Sequence, residues 1–466
     1  MSSHHSNRYS NRSGHAIRDD AIEIWNASLK AVDARELVAN SIEVTGDRLQ
    51  ICDFTAELSL IKNALVVGAG KAAGAMAAGV ADQLGALVTV KGRVNVPDGS
   101  EFDCGDIAIS GTRPTGINLP TDRVVNSTLE ICRLIQHAPS DSLVTFVVSG
   151  GGSALLEIPE VDLTATRELI TGLSRAGATI EQLNTVRKHL SQVKGGSLGR
   201  FYNNHCNSRF PLISLAISDV PDDRTDLIAS GPTVADDSTP ADALQILDRF
   251  KGLIEVPEAV VEFLASTATR SPCSGSSASG LPWTDRVRNY VIGSNSTAVA
   301  AAAETAKSLG YRVEIIDQTD AEENTTKAAM RLLDASEASN ADRLCVISGG
   351  EPVVHVTASG GQGGRNHHLV LAAMCKLAGK QTGPTSAPFC LLSGGTDGED
   401  GNVPFPGALF DHELIDQVVE QGLLRDAKDS LARFDSHTFL SRIAAILPKP
   451  EIQTNVRDIR IFLRER

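Results

Sequence analysis

The sequence has few aromatic residues, no closely spaced cysteines and no long apolar run. Aromatic side chains make up 4% of the 466 residues, which leaves no stacking platform for nucleic-acid bases. The eight cysteines are scattered, which excludes a CxxC redox motif and a zinc ribbon and indicates buried thiols in a reducing compartment. No stretch reaches the ~18 apolar residues that a membrane-spanning helix needs, so we expect no membrane contact.

Basic residues are also fewer than acidic residues. The chain carries 43 Lys and Arg against 57 Asp and Glu, and its formal net charge is −14. A nucleic acid needs a basic surface that neutralises its phosphates, so this balance argues against a nucleic-acid partner. An anionic small molecule needs only a local pocket of positive side chains. An anionic small-molecule substrate would therefore need such a pocket of its own.

Two polar segments divide the chain. Residues 1–20 are rich in Ser, His, Asn and Arg and lack the apolar core of a secretion signal, so we expect a disordered tail on a cytoplasmic protein. The segment 266–284 contains the run Ser274–Gly280 and has no periodicity, which predicts a flexible linker or, alternatively, a surface loop inside one domain. A linker at this place predicts an N-terminal domain at residues 21–265 and a C-terminal domain at residues 285–466.

Short apolar runs that end in turns of small residues recur along the chain. They are Ala64–Val67, Leu143–Val148, Leu212–Ile217, Tyr290–Ile292, Leu344–Ile347 and Phe389–Leu392. Continuous apolar strands that alternate with helical patterns are typical of a parallel α/β sheet. Ligands bind such sheets at the carboxyl ends of the strands, so chemistry is expected in the turns that follow these runs. Asn295 closes one of these turns and is a candidate binding residue.

The turn Gly68-Ala69-Gly70-Lys71 follows the first run and leads into a helical pattern at Ala72–Leu84. Amides at a helix start attract anions, and three interpretations compete. A dinucleotide fingerprint with Gly68 and Gly70 is weakened by the GxGxxxG spacing, and a P-loop is absent because alanine follows Lys71. A reactive lysine at an anion site remains, with a solvated lysine at the helix start as the alternative.

The run Ser149-Gly150-Gly151-Gly152-Ser153 follows the strongest apolar strand of the chain. Three consecutive glycines permit positive φ angles and a close approach of the backbone to a ligand. The run therefore predicts a cradle for a phosphate or another anion, in which Ser149, Gly150, Gly151, Gly152 and Ser153 are binding residues. A tight turn without a ligand is the alternative.

Residues 181–195 are predicted to form one helix. At about 100° per residue its apolar positions share one face, and Arg187, Lys188 and Lys194 share the opposite arc with no acidic residue among them. Like charges repel unless an anion lies across them. The arc therefore predicts an anionic ligand, with a solvated basic face as the alternative.

Single carboxylates follow three other strands, namely Asp219, Glu351 and Asp397. All three are candidate substrate or nucleotide ligands. Mg²⁺ takes one or two carboxylates together with phosphate oxygens, so Asp219 and Asp397 are also candidate metal ligands. Arg365 follows the glycine-rich run Gly360–Gly364, and its forked guanidinium suits a phosphoryl or carboxylate group.

Taken together, seven motifs resemble those of one enzyme family. They are VVGAGKAA at Val66–Ala73, VSGGGSALL at Val148–Leu156, LNTVRKHLSQVKGG at Leu183–Gly196, ISDVPDDRTDLIASGPTV at Ile217–Val234, VISGGE at Val346–Glu351, GGRN at Gly363–Asn366 and SGGTDGEDG at Ser393–Gly401. In this order they resemble the class II glycerate kinases, whose C-terminal half is the MOFRL domain.

This resemblance implies ATP-dependent phosphorylation of D-glycerate, usually to 2-phosphoglycerate, with Mg²⁺. It implies a Rossmann-like parallel α/β domain, a smaller MOFRL-type α/β domain, and an active site in a cleft between them. The lysine of GKAA is Lys71 and the arginine of GGRN is Arg365, and the resemblance assigns this pair to catalysis. Because some family members are labelled hydroxypyruvate reductases, an NAD(P)H-dependent reductase stays open, as do a divergent homologue with altered or lost activity and a homodimer.

Overall fold

The computed structural model describes residues 14–268, 282–316, 323–356, 360–380, 387–452 and 454–466. The chain folds into two compact units. The first, called the N-terminal unit, consists of Asp33–Ser294 and Gln453–Asn455. The second, called the C-terminal unit, consists of the described residues within Met1–Val32, Asn295–Ile452 and Val456–Arg466. No helix in the described ranges is both long enough and apolar enough to cross a bilayer.

The strands, in chain order, are β1 (Ile42–Thr45), β2 (Arg48–Ile51), β3 (Phe54–Glu57), β4 (Asn63–Ala69), β5 (Thr89–Pro97), β6 (Ile107–Arg113), β7 (Ser142–Val148), β8 (Leu212–Ile217), β9 (Val287–Gly293), β10 (Arg312–Ile315), β11 (Arg343–Gly350), β12 (Phe389–Gly395), β13 (Gly407–Asp411) and β14 (Asp458–Glu465). The helices are α1 (Gly14–Lys30), α2 (Ala34–Ser41), α3 (Ala73–Leu84), α4 (Asp122–Gln136), α5 (Gly152–Leu155), α6 (Leu163–Arg175), α7 (Ile180–His189), α8 (Ser197–His205), α9 (Pro240–Arg249), α10 (Glu258–Thr267), α11 (Asn295–Ser308), α12 (Thr325–Ala338), α13 (Arg365–Ala378), α14 (His412–Glu420), α15 (Leu424–Ala432) and α16 (Ser436–Arg442).

The N-terminal unit is built on a six-stranded sheet in the order β6-β5-β4-β7-β8-β9, in which each neighbouring pair is parallel. β7 and β8 are buried along their whole length, as their apolar sequences predict. Phe146 of β7 shares one apolar core with Ile131 of α4 and Tyr202 of α8. The predicted parallel sheet is confirmed here, and the carboxyl ends of β4, β7 and β8 bring three of the predicted turns to one edge.

The end of the N-terminal unit differs from the prediction. β9 pairs in parallel with β8, so the boundary lies after Ser294 and not at residue 285. Ser266 lies within α10, and the Trp283 side chain is buried in the same core as Phe146. The predicted linker therefore begins in a helix and ends in the apolar core, and its central part, residues 269–281, lies outside the described residues.

The C-terminal unit has a mixed five-stranded sheet in the order β10-β11-β14-β12-β13. The expectation of parallel strands is wrong here, because β14, the last strand of the chain, lies between β11 and β12 and runs antiparallel to both. β11 and β12 consequently point in the same direction. Their last residues, Gly350 and Gly395, both pair with Asp458, the first residue of β14. This register places the ends of three strands around one carboxylate.

The first helix also corrects a prediction, because residues 14–20 are helical and do not form part of a disordered tail. α1 packs against α11 and β12 of the C-terminal unit. The Asp20 carboxylate is buried and accepts a hydrogen bond from the Tyr311 hydroxyl at 2.7 Å. Trp25 fills the space beside Gly394, where a Cβ would lie 2.8 Å from the indole ring. The rest of the predicted tail, residues 1–13, lies outside the described residues.

Candidate active site

The turn that carries Lys71, between β4 and α3, is packed against the glycine loop that follows β7. The Lys71 amide donates to the Gly150 carbonyl oxygen at 2.9 Å, and the Ala72 amide donates to Ser149 Oγ at 3.0 Å. Both amides are therefore used inside the protein, and the expectation that they point at a ligand is wrong. The Lys71 side chain remains the candidate group at this turn.

Gly68 and Gly70 of this turn allow the close contact between the turn and the segment Val147–Ser149, because a side chain at either position would clash with that segment. A Cβ on Gly70 would lie 2.2 Å from Ser149 Oγ, and a Cβ on Gly68 would lie 1.9 Å from the Val147 carbonyl oxygen. In a dinucleotide-binding turn the second glycine lets the backbone approach the pyrophosphate, whereas here Ser149 occupies that side of Gly70. This packing argues against NAD(P)H binding at the turn, and with it against the reductase alternative.

The loop from Gly150 to Gly152 combines close packing with an unengaged amide. A Cβ on Gly150 would lie 2.1 Å from Asp219 Oδ2 and 2.3 Å from Asn455 Nδ2. Gly151 has a φ of 80°, in the left-handed region that favours glycine, and no described group accepts a backbone hydrogen bond from its amide. Gly152 begins α5. The Gly151 amide is therefore a candidate donor to an anion.

Asp219 and Asn455 lie together over this loop. Asn455 Nδ2 donates to Asp219 Oδ2 at 3.4 Å, and the two residues are 236 positions apart in the sequence. Asp219 could be predicted as a site residue from the sequence and Asn455 could not, because no spacing pattern links a turn after β8 to a short segment near the end of the chain. The structure thus gives the candidate metal ligand Asp219 an amide neighbour.

Ser153 is held by a chain of hydrogen bonds that the sequence analysis also missed. Its hydroxyl lies 3.0 Å from Ser230 Oγ, and Ser230 Oγ donates to Asn184 Oδ1 at 2.8 Å. Ala229 and Ser230 have φ angles of 50° and 62°, which non-glycine residues adopt at a cost of about 1–3 kcal/mol. Such strain persists where the surrounding structure imposes it, and here it orients the buried Ser230 toward Ser153.

The predicted basic arc is wrong. α7 ends at His189, so Lys194 is not on that helix; it is fully buried, and its ammonium donates to Glu157 Oε2 at 2.6 Å. The Lys188 ammonium lies 3.1 Å from Asp236 Oδ1. Acidic residues from other segments therefore neutralise both lysines. These pairs are structural contacts, and neither lysine needs an anionic ligand.

Arg187 differs from the two lysines. It is half-buried, and it lines a small pocket together with Ser153 and Glu157. Burial lowers the pKa of the Arg187 guanidinium, and the Glu157 carboxylate offsets only part of this effect. Of the three cations predicted on one arc, Arg187 is therefore the one that the structure leaves as a candidate for an anionic ligand.

In the C-terminal unit, Arg365 is the first residue of α13 and is clamped by two carboxylates. Its guanidinium binds Asp458 through Nε at 2.6 Å and Nη2 at 2.9 Å, and Nη1 lies 3.0 Å from Glu351 Oε1. Asp458 is fully buried, whereas Glu351 is about half-exposed. Burial alone lowers the pKa of Arg365, but these carboxylates outweigh it and hold that pKa above its usual value. Arg365 is therefore a fixed cation, and Glu351 is its partner.

The start of α13 is fixed by a second carboxylate that the sequence analysis missed. Asp400 is buried and accepts hydrogen bonds from the amides of Gly364 at 3.1 Å, Asn366 at 3.0 Å and His367 at 2.8 Å. The His367 ring contacts the same carboxylate through Nδ1 at 2.5 Å. These amides are the ones that a helix start leaves without internal partners. Asp400 thus sets the direction in which α13 presents Arg365.

Replacing Asp400 with asparagine is expected to lower the free energy of unfolding by about 2–3 kcal/mol, because an amide donor then faces backbone amides that lose a charged acceptor. Chemical denaturation with urea measures this loss. Asp429→Asn, on the exposed face of α15, is the matched control and should leave stability within about 0.5 kcal/mol of the parent. Equal stability of the Asp400 variant and the control would contradict the assigned role.

The other two predicted residues of this unit have partners in the protein. Asn295 begins α11, and its Nδ2 donates to the carbonyl oxygens of Val456 at 2.7 Å and Asp458 at 3.0 Å. Asn295 therefore positions the start of β14, in place of the predicted ligand contact. Asp397 lies in the turn after β12, where its Oδ1 accepts a hydrogen bond from the Glu399 amide at 3.3 Å.

Known proteins resemble this chain over almost its whole length. A family profile described as a domain of unknown function, DUF4147, matches residues 20–265, and the MOFRL family profile matches residues 344–458. The D-glycerate 2-kinase of Thermotoga maritima is 33% identical over 94% of this chain and 98% of that protein, and a glycerate kinase of Danio rerio is 31% identical over 96% of this chain and 98% of that protein. This chain belongs to the glycerate kinase family. A crystal structure of glycerate kinase from Thermotoga maritima has a TM-score of 0.77 and 30% identity, and the match covers 96% of this chain and 99% of that one.

Membership in the glycerate kinase family confirms the resemblance drawn from the seven motifs and the predicted pair of α/β domains. The DUF4147 match contains Lys71 and the glycine loop. The MOFRL match begins inside β11 and ends at Asp458, so it spans Arg365 and both carboxylates that clamp it. Each family region therefore contains one of the two side-chain clusters described above.

Proposed function

We propose that this protein is a D-glycerate 2-kinase, which transfers the terminal phosphoryl group of ATP to D-glycerate and forms 2-phosphoglycerate. Similarity to glycerate kinases over almost the whole chain supports the reaction class. The structural observation that carries the proposal is the Lys71 side chain on a closely packed turn at the carboxyl edge of a parallel sheet, beside Gly151, whose amide has no acceptor among the described residues. In such sheets this edge is where ligands bind.

The proposed chemistry needs positioning and charge neutralisation more than a nucleophilic side chain. A phosphoryl group in transfer spreads negative charge over its outer oxygens, and fixed cations and amide donors stabilise that charge. Lys71 and the Gly151 amide are such groups in the N-terminal unit. Arg365, held by Asp458 and Glu351, is the candidate catalytic cation of the C-terminal unit.

Mg²⁺ is part of the proposal as a companion of the nucleotide. Among the described residues there is no group of three or more His, Cys, Asp or Glu side chains arranged to hold a metal ion. Asp219 and Asp397 each supply one carboxylate at a strand-end turn, and Mg²⁺ in kinases is usually held by one or two carboxylates plus phosphate oxygens. Such an ion neutralises phosphate charge when bound. The residues therefore fit Mg²⁺ that arrives with ATP better than a resident metal centre.

An assay of the purified full chain tests this proposal. With D-glycerate and Mg·ATP we expect ADP release, and phosphorus NMR should identify 2-phosphoglycerate as the product. L-glycerate in place of the D-isomer should support little turnover, and omission of Mg²⁺ should abolish it. A parallel assay with hydroxypyruvate and NADH covers the reductase alternative: NADH oxidation without ADP release in the first assay would contradict the proposed function.

A further inference from the structure

Arg113 is a buried cation that has no carboxylate partner among the described residues. It is the last residue of β6, its exposed fraction is 4%, and its Nε has no hydrogen-bond acceptor among the described residues. Burial lowers the pKa of the Arg113 guanidinium, and attraction by Asp98 offsets only part of that effect. Asp98 is already engaged by Arg123, which binds its two carboxylate oxygens at 3.0 and 2.6 Å. Arg113 therefore carries a charge that its neighbours in the described part of the chain do not neutralise.

The guanidinium points to the glycine loop. Arg113 Nη2 lies 3.7 Å from the position that a Cβ on Gly151 would occupy, and Lys71 Cγ lies 3.5 Å from the same point. The Arg113 guanidinium and the stem of the Lys71 side chain thus both lie beside Gly151, whose amide has no acceptor in the described part of the chain. Because Gly151 has no side chain, the space between the two cations is kept clear of protein atoms at that residue.

Burying a charged group without a partner costs several kcal/mol, so such a group persists where it serves a ligand. The ligand must be an anion, because both side chains around Gly151 are cationic. A carboxylate suits arginine in particular, because the planar fork of the guanidinium matches the two carboxylate oxygens. An arginine and a lysine side by side are therefore suited to bind two different anionic groups, one on each of two molecules that react with each other.

We propose that Arg113 binds the carboxylate of the hydroxy acid while Lys71 stabilises the phosphoryl group that is being transferred. This assignment rests on the proposed function, because it takes the acceptor to be the hydroxyl on the carbon next to the carboxylate. In such a substrate the two anionic groups sit on adjacent carbons at the moment of transfer. Two cationic side chains that both lie beside one glycine match that requirement.

The kinetic test compares the full-length Arg113→Gln and Arg113→Lys variants on D-glycerate and on its neutral amide, glyceramide. Arg113→Gln should raise the KM for D-glycerate about 10- to 100-fold, which corresponds to the loss of a charge-assisted hydrogen bond. The preference of the parent for glycerate over glyceramide should largely disappear, and the KM for ATP should stay within about twofold. Arg113→Lys should retain part of the preference. Arg133→Gln, an exposed arginine on α4, is the matched control and should behave as the parent does.

Two further measurements separate this inference from the proposed function. Isothermal titration of D-glycerate alone should show binding to the parent and strongly weakened binding to Arg113→Gln, and this readout holds even if no phosphoryl transfer is detected. In the absence of ligand, Arg113→Gln should unfold at the same temperature as the parent or at a higher one, because it removes an unpaired buried charge. The assignment is overturned if glycerate binds both proteins equally, if only the KM for ATP rises, or if the variant loses stability without ligand.

Discussion

Replacing Lys71 with methionine is expected to lower kcat by about 10²–10³ while the protein stays folded. The Lys71 side chain passes beside Gly151, with its Cγ 3.5 Å from where a Cβ on that glycine would lie, and methionine keeps most of its volume but none of its charge. The backbone role of this residue is preserved, because it is the Lys71 amide and not the side chain that donates to the Gly150 carbonyl oxygen. The loss should therefore fall on the chemical step.

The measurement is kcat at saturating glycerate and Mg·ATP, together with the thermal unfolding midpoint of each variant. Lys91→Met on β5 is the matched control, because this lysine is exposed on the same sheet. It should keep the parental kcat. A folded Lys71→Met protein with parental kcat would remove Lys71 from the reaction.

The N-terminal sheet could be predicted from the sequence because its central strands are apolar on both faces. The runs Leu143–Val148 and Leu212–Ile217 coincide with β7 and β8 to within one residue, and the turns after them lie at one edge as parallel pairing requires. Lys71 and Ser149 were also found in this way, since each follows such a strand. Local patterns are sufficient where a strand and its turn are contiguous in sequence.

Features that depend on distant segments could not be predicted. Lys194 is paired with Glu157, 37 residues away, and without knowledge of that contact a row of cations resembles an anion site. No run predicted from the sequence corresponds to β14, which lies between β11 and β12 and antiparallel to both, and its first residue is Asp458, the partner of Arg365. Arg113 could not be predicted as a site residue for a related reason. That it has no carboxylate partner among the described residues is visible only when the positions of all its neighbours are known.

The clamp on Arg365 means that a single substitution there has two effects. Arg365→Met should lower kcat by about 10²–10³, because a fixed cation is lost from the candidate site. It should also lower the free energy of unfolding by about 3–5 kcal/mol, because the fully buried Asp458 then lacks a partner for its charge. Loss of activity alone would not distinguish a catalytic role from a structural one.

A double variant separates the two effects. In Arg365→Met/Asp458→Asn the buried position 458 is neutral, so most of the lost stability should return while kcat stays about 10²–10³ below the parent. The exposed pair Arg442 and Asp426, 3.0 Å apart in the same unit, provides the matched control. Its double replacement should change stability by less than about 1 kcal/mol and leave kcat unchanged. Recovery of parental kcat in Arg365→Met/Asp458→Asn would mean that Arg365 serves only to neutralise Asp458, and the catalytic cation of the C-terminal unit would have to be another residue.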